Sequence, residues 1–380
     1  MTHFEFTEHQ GDRLIWQIRK SPIDSFNLIL GDNAQGKTRF FNILRFLKNV
    51  HSDGPAVHAP GLKTYIEMTF DENGESVIYK FNRSVRVDGL IPDFSEEIIR
   101  QGKLIFSREQ KILIEEISGK KVENFFLPPN VPALLSINGE EFSTIVSLKS
   151  FFERMLFLEA NRFAGNNIEI SKDALVINST GSNIGSVLDT WRRKMPEAFN
   201  EIVSEFQDCF SFVVEDSVTT KEDILPGHGV SVPFAFYTEK ESNAEIRQLE
   251  WSDGMLRSLC LFALAATRFP QEGGGFQRPS FVCVDEIENG LDFNTLKKVI
   301  SFYEGYSNIA QVILASHSPT VCNLVESKYW HIAKRKGAIV ELFSPREKEK
   351  NFEEQRKKLL KDNWEFYKNH VAKSKLYSVE

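Results

Sequence analysis

At 380 residues the chain can hold one large or two modest domains, and its formal net charge of −7 argues against a protein that coats nucleic acid with uniformly basic charge. No apolar run approaches the roughly 18 residues that cross a bilayer, and Met1-Thr-His-Phe-Glu-Phe-Thr-Glu8 lacks the basic-then-apolar order of a secretory leader. The four cysteines (Cys209, Cys260, Cys283, Cys322) show no metal-type spacing and 32 phenylalanines predict an aromatic-rich core, so a reducing cytoplasm without membrane association is the expected setting.

Phe26-Asn-Leu-Ile-Leu30 is a short apolar run ending at Gly31, the pattern of a buried parallel strand. From Arg39 to Leu47 apolar residues recur at helical spacing. Strand, glycine loop and helix therefore follow in the order that a phosphate-binding loop needs. Segments 64–70 and 76–85 alternate around Asp71-Glu-Asn73-Gly74 and predict a hairpin; 103–117 predicts a further extended pair. Pro128, Pro129 and Pro132 then punctuate the chain. Helices are expected over 142–161 and 186–210, with Asn183 capping the second and Pro196 kinking or splitting it. Segments 210–216 and 230–237 read as extended, 252–268 as a helix, and 281–284 and 311–315 as buried strands. Lys334-Arg335-Lys336 is expected in the turn of a hairpin flanked by 329–332 and 338–342. That cluster and Arg356-Lys357-Lys358 are the obvious basic groups, and each also reads as a solvated face. From Pro345 onward a charged helical tail carries Leu359, Leu360, Trp364 and Tyr367 as a stripe that could dock a partner.

Four separated strings carry the chemistry. In Gly31-Asp32-Asn33-Ala34-Gln35-Gly36-Lys37-Thr38 the glycines let successive N–H groups turn toward one point, an anion nest backed by a helix N-terminus. Lys37 is expected on the β and γ phosphates of ATP and the Thr38 hydroxyl on Mg2+. Asp285 and Glu286 end the apolar run 281–284. Asp285 would hold the metal directly or through water, and Glu286 would accept a proton from the attacking water or orient it. Ser252-Asp253-Gly254 opens a helix with a serine cap, and a capped helix N-terminus can also receive a γ-phosphate. Such a string has little purpose inside a single active site, which suggests an ATP site shared between two copies. His317, in Ser316-His317-Ser318-Pro319, could hydrogen-bond the γ-phosphate or position Glu286. Each string has a plainer alternative: a glycine turn, two chance acids, an ordinary helix cap, a structural histidine. Their order along one chain favours the nucleotide.

With these motifs in order, the chain resembles the ABC-type ATPase heads of the RecF, SMC and OLD-like group over roughly residues 4–345. Residues 31–38 look like the RecF-type phosphate loop, and Ser252-Asp253-Gly254-Met255-Leu256-Arg257 looks like the OLD-like signature motif. Asp285-Glu286-Ile287-Glu288-Asn289-Gly290-Leu291 is similar to the extended acidic strand end, and Ser316–Pro319 to the switch-histidine segment. Gly181-Ser182-Asn183-Ile184 with Pro196-Glu197-Ala198-Phe199 is similar to the helical lobe. The resemblance implies an α/β P-loop NTPase of the ABC head type. Its mixed-sheet, nucleotide-binding core lobe would comprise 1–124 and 271–345, with an inserted helical signature lobe at 125–270 and a charged tail at 346–380. It also implies a head-to-tail homodimer, or a higher oligomer, around ATP and Mg2+. Lys37, Thr38, Asp285, Glu286 and His317 would act in cis, while Ser252, Asp253 and Gly254 would reach the partner's nucleotide. Asp292 takes the place of the loop that couples the two sites.

Departures from the group narrow the reading. Gln110 is the one residue offered for a glutamine loop, without a convincing context. No long coiled coil separates Thr38 from Ser252, and no acidic nuclease module follows. The expected function is an ATP-hydrolysing sensor or regulatory subunit of a prokaryotic anti-phage defence system that controls a separate effector protein. A RecF-like repair ATPase, with nucleic acid as partner, is the alternative. A scaffold gated by ATP without hydrolysis is the third reading, and the intact Glu286 argues against it.

Overall fold

The computed structural model describes residues 1–52, 61–85, 92–116, 118–122, 125–159, 169, 173–214, 218–224, 231–271, 274–345 and 351–361. The chain divides into two compact units, residues 1–153 with 315–380, and residues 154–314. It opens with β1 (His3–Gln10), β2 (Arg13–Pro22), β3 (Phe26–Leu30) and α1 (Lys37–Ser52). Next come β4 (Leu62–Glu72), β5 (Glu75–Val85), β6 (Pro92–Arg100), β7 (Lys103–Ser107), β8 (Ile112–Leu113), α2 (Ala133–Ser136) and α3 (Ser143–Glu153). The second unit holds β9 (Met155–Leu158), α4 (Ile184–Lys194), α5 (Pro196–Phe210), β10 (Thr219–Ile224), β11 (Ser231–Thr238) and β12 (Glu245–Arg247). It continues with α6 (Asp253–Ala266), β13 (Phe269–Pro270), β14 (Phe276–Gln277), β15 (Phe281–Val284), α7 (Phe293–Tyr306) and β16 (Gln311–Ser316). The return to the first unit supplies α8 (Pro319–Leu324), β17 (Trp330–Lys336) and β18 (Ile339–Phe343), followed by a helical segment over 351–361.

In the first unit the strands run in the order β8-β7-β6-β5-β4-β1-β2-β18-β17-β3. Neighbours are antiparallel except at β18–β2 and β17–β3, which are parallel. Strands β4 to β6 alternate buried and half-buried residues, as a sheet with one covered face must. The covered face is aromatic: Phe4 meets Phe40 of α1 edge-on at 5.2 Å, and Phe81 lies 5.4 Å from Phe94. The β4–β5 hairpin turns at Asn73 (φ +56°) and Gly74 (φ +84°), the left-handed pair that a tight hairpin favours. In contrast β3 is buried along its whole length, which fits a strand covered on both faces.

In the second unit β9 and β16 flank β15, all parallel. A separate antiparallel sheet holds β10, β11 and β12. Helix α6 is buried from Met255 through Ala266, so it is covered on every side rather than along one stripe.

Several local expectations are corrected. The helix expected over 142–161 stops at Glu153, and Met155–Leu158 is instead a strand paired with β15. Met-Leu-Phe-Leu has no polar face, and in so short an apolar run periodicity does not separate strand from buried helix; residues 160–161 fall outside the described residues. The 186–210 helix is two helices, with Pro196 at the start of α5. Asn183 precedes α4, but its side chain accepts from the Asn178 N–H at 3.0 Å and donates to the Val176 carbonyl at 3.0 Å, closing the preceding turn. Over 210–216, Phe210 ends α5 and Val214 forms an isolated bridge with Glu239, while 215–216 are outside the described residues. Lys334-Arg335-Lys336 belongs to β17 itself, and Gly337-Ala338 makes the turn. In the tail, Leu359 is buried and only Leu360 is exposed, so the expected stripe is partly used within the chain; Trp364 and Tyr367 are outside the described residues.

Candidate nucleotide-binding site

The phosphate loop sits in the first unit, between β3 and α1. Gly31 (φ +157°), Ala34 (φ +66°) and Gly36 (φ +102°) carry the positive dihedrals that fold it. At Gly36 a Cβ would stand 2.8 Å from Val340 Cγ2 and 2.9 Å from Trp16 Cζ2, so only glycine lets the loop rest on this floor. The Trp16 indole carries the guanidinium of Arg335 at 4.4 Å and that of Arg39 at 5.3 Å. Gln35 Oε1 accepts the Arg335 backbone N–H at 2.8 Å, and Arg39 pairs with Glu8.

Lys37 is buried, and its ammonium donates to the carbonyls of Gly31 and, at 3.0 Å, of Asp32. Asp32, Asn33, Ala34 and Thr38 are exposed, with Gln35 and Gly36 half-buried. A cationic tip inside a nest of backbone turns, followed by an exposed hydroxyl, is the donor set a triphosphate with Mg2+ calls for. Beside α1 lies a cavity of about 200 Å³ lined by Glu8, Arg39, Asn42, Phe46 and Arg83 among others. Arg83 stacks 4.6 Å over Phe46 and donates to Thr64 Oγ1 at 3.2 Å; burial lowers its pKa to about 10. Nothing in the sequence pattern pointed to this arginine.

The acidic strand end and the signature string share the second unit. Asp285, 9% exposed, donates its backbone N–H to the Leu158 carbonyl at 3.0 Å, which aligns the ends of β15 and β9. Glu286 follows with φ +47°, a left-handed conformation that costs a glutamate about 1–2 kcal/mol. Ser252 caps α6, its Oγ accepting the Met255 N–H at 3.3 Å. Ser252 and Asp253 are exposed while the helix behind them is buried. Gly254 passes so close to the following loop that a Cβ would lie 2.6 Å from the Gly290 carbonyl oxygen.

Arg257, only 2% exposed, points its guanidinium at three backbone carbonyls: Glu159 at 2.8 Å, Asp285 at 3.0 Å and Glu286 at 3.1 Å. Burial lowers its pKa. The sequence did carry a signal for it, because Arg257 is the single charge within the run Met255–Ala266. Asp292 caps α7, accepting from the N–H of Asn294 at 2.8 Å and of Thr295 at 3.2 Å. The Thr295 hydroxyl also donates to it, at 2.6 Å, and this bond leads the set that holds its carboxyl below the usual range. Tyr303 of α7 donates to the Leu261 carbonyl of α6 at 2.7 Å.

His317 is exposed just past β16, and Ser316 Oγ accepts the Ser318 N–H at 2.9 Å. Gln110 is exposed in the turn after β7, its N–H bonded to Ser107 Oγ at 3.2 Å. Within the first unit, then, the loop is gathered with Trp16, Arg39 and Arg335. Within the second, the start of α6 meets the segment that carries Asp285, Glu286 and Gly290.

Solved structures resemble the chain over most of its length. The crystal structure of an SMC head bound to the C-winged helix domain of ScpA superposes with a TM-score of 0.53 at 11% identity, over 90% of this chain and 98% of that one. The SMC head domain from Thermotoga maritima gives 0.42 at 11% identity, over 90% and 99% of the two chains. An SMC head with an extended coiled coil, bound to the C-terminal domain of ScpA derived from Pyrococcus furiosus, gives 0.48 at 11% identity, over 94% and 100%. The first likeness establishes the ABC-type ATPase head fold, an α/β P-loop architecture with a mixed sheet. No curated protein matches the sequence. A family model described as "AAA domain, putative AbiEii toxin, Type IV TA system" matches residues 26–323, a span that includes every motif from the phosphate loop to His317, and the chain belongs to that family.

Proposed function

We propose that this protein hydrolyses ATP as a dimer closed around the nucleotide, and that it is the regulatory ATPase of a prokaryotic defence system acting on a separate effector protein. The observation that carries the dimer is the start of α6. Ser252 and Asp253 are exposed at the start of a helix whose body is buried from Met255 onward, so its positive N-terminal end faces outward, where a phosphate from another molecule can meet it. Lys37 binds the β and γ phosphates, with residues 31–36 supplying N–H groups. Thr38 and Asp285 would hold Mg2+, which offsets phosphate charge when bound. Glu286 takes the proton of the water that attacks the γ-phosphorus, as ADP and phosphate separate. His317 orients the γ-phosphate or Glu286, and Asp292 links the paired sites.

The regulatory role is supported by the family description, which names a toxin of a toxin–antitoxin system. The SMC head of the first comparison binds a protein domain, which is consistent with an effector protein here. The test is Glu286→Gln with ATP and Mg2+. Loss of the base should trap the nucleotide-bound dimer, read by light scattering; a variant that stays monomeric at high protein concentration refutes the reading. Purification from the native host then identifies the partner, and bound DNA in place of a toxin-like protein or nuclease would favour the repair alternative.

A further inference from the structure

We infer that Arg257 is a positioning residue that makes hydrolysis at one nucleotide depend on occupancy of the other. The inference rests on the dimer proposed above. Ser252 and Arg257 belong to one rigid element: they are five positions apart, about 7.5 Å along a helix. Helix α6 is packed on all sides and pinned to α7 by the Tyr303–Leu261 bond, so a displacement at its first turn moves the body of the helix.

Two points of that helix grip the catalytic segment. Gly254 abuts the Gly290 carbonyl, and the Arg257 fork holds the carbonyls of Asp285 and Glu286. A guanidinium in so apolar a helix is costly to bury, and a methionine or leucine would fill the volume without that cost. What the guanidinium adds is a planar fork fixing the orientation of several carbonyls at once, which an ammonium does with less geometric control. The held residue is also the one whose backbone needs holding, since Glu286 sits at φ +47°.

The consequence concerns two sites. Ser252 of one protomer meets the nucleotide on its partner, whereas Glu286 of that same protomer serves the nucleotide on its own phosphate loop. Arg257 joins the two, so a phosphate felt at Ser252 sets the Glu286 backbone for the other reaction. ATP hydrolysis should therefore rise with a Hill coefficient above one and at most two, the number of paired sites.

The experiment compares wild type with Arg257→Met and Arg257→Lys, following turnover against ATP concentration and nucleotide affinity by titration. In Arg257→Met, kcat should fall on the order of 10²-fold, affinity should stay within about twofold, and the Hill coefficient should drop to one. Lysine should restore part of kcat. Circular dichroism checks folding; if the methionine variant does not fold, the lysine variant decides by the same two readouts. An unchanged kcat, or a reduced kcat with the cooperativity intact, overturns the inference. A wild type that dimerises and hydrolyses ATP with a Hill coefficient of one overturns it alone. A wild type that does neither defeats the functional proposal instead.

Discussion

Replacing Gly254 with alanine puts a methyl group where the Gly290 carbonyl oxygen already is. The new Cβ would stand 2.6 Å from that oxygen, against 3.4 Å at the near edge of ordinary contact, so about 0.8 Å (3.4 − 2.6) must be found. The obstacle is backbone and does not rotate aside. Overpacking of this kind costs about 1–3 kcal/mol, while alanine in a helix returns up to about 1 kcal/mol over glycine. The expected result is a net loss of about 0–3 kcal/mol in urea unfolding at unchanged slope. The larger effect should be on turnover: a shift approaching 1 Å between Ser252 and the segment after Glu286 should lower kcat on the order of 10²-fold. Gly305, in α7 with nothing near its would-be Cβ, is the control; Gly305→Ala should gain about 0.4–1 kcal/mol and leave turnover alone. If Gly254→Ala behaves like Gly305→Ala in both measurements, the close approach and the reasoning built on it are refuted.

Two further outcomes are expected. Lys37→Ala should abolish nucleotide binding in calorimetric titration, since it removes the cation at the centre of the loop; retained affinity would take Lys37 out of the site. His51, fully buried at the end of α1, has its pKa lowered to about 3 by burial. The Tyr79 hydroxyl donates to Glu96 at 2.8 Å, which leaves its oxygen to accept from His51 Nε2–H at 3.2 Å, so the imidazole is the neutral Nε2–H tautomer. The unfolded chain takes up this proton near pH 6.5 and the folded chain does not. Stability from this group is thus complete above about pH 6.5 and falls by about 1.4 kcal/mol per pH unit toward pH 3. Acid unfolding of His51→Phe should lack that slope, and an identical slope in both proteins would contradict the assignment.

What could be read from the sequence was whatever has a local period or a local turn. The β3–loop–α1 order, the Asn73-Gly74 hairpin and the run 281–284 were legible because each is written in neighbouring residues. Strand β9 was not: Met155–Leu158 follows a helix directly, and only pairing with β15, more than a hundred positions away, makes it extended. The same holds at the site. Gly36 reads as a loop glycine from its neighbours, but its crowding by Val340 and Trp16 depends on distant chain. Asp292, expected to couple the two sites, has a side chain that caps α7, a use its position before Phe293-Asn-Thr295 also suggests.

The floor beneath the phosphate loop is assembled late. Gln35 and Arg335 are 300 positions apart, and Val340, which crowds Gly36, comes later still. A ribosome adding about 5–20 residues each second therefore exposes the glycine-rich segment for some fifteen seconds to a minute before the hairpin that supports it has emerged. Until β17 and β18 pair with β3 and β2, the nascent loop has no such floor to rest on. Emergence of the β17–β18 hairpin, rather than of the loop itself, therefore sets when this floor can first form.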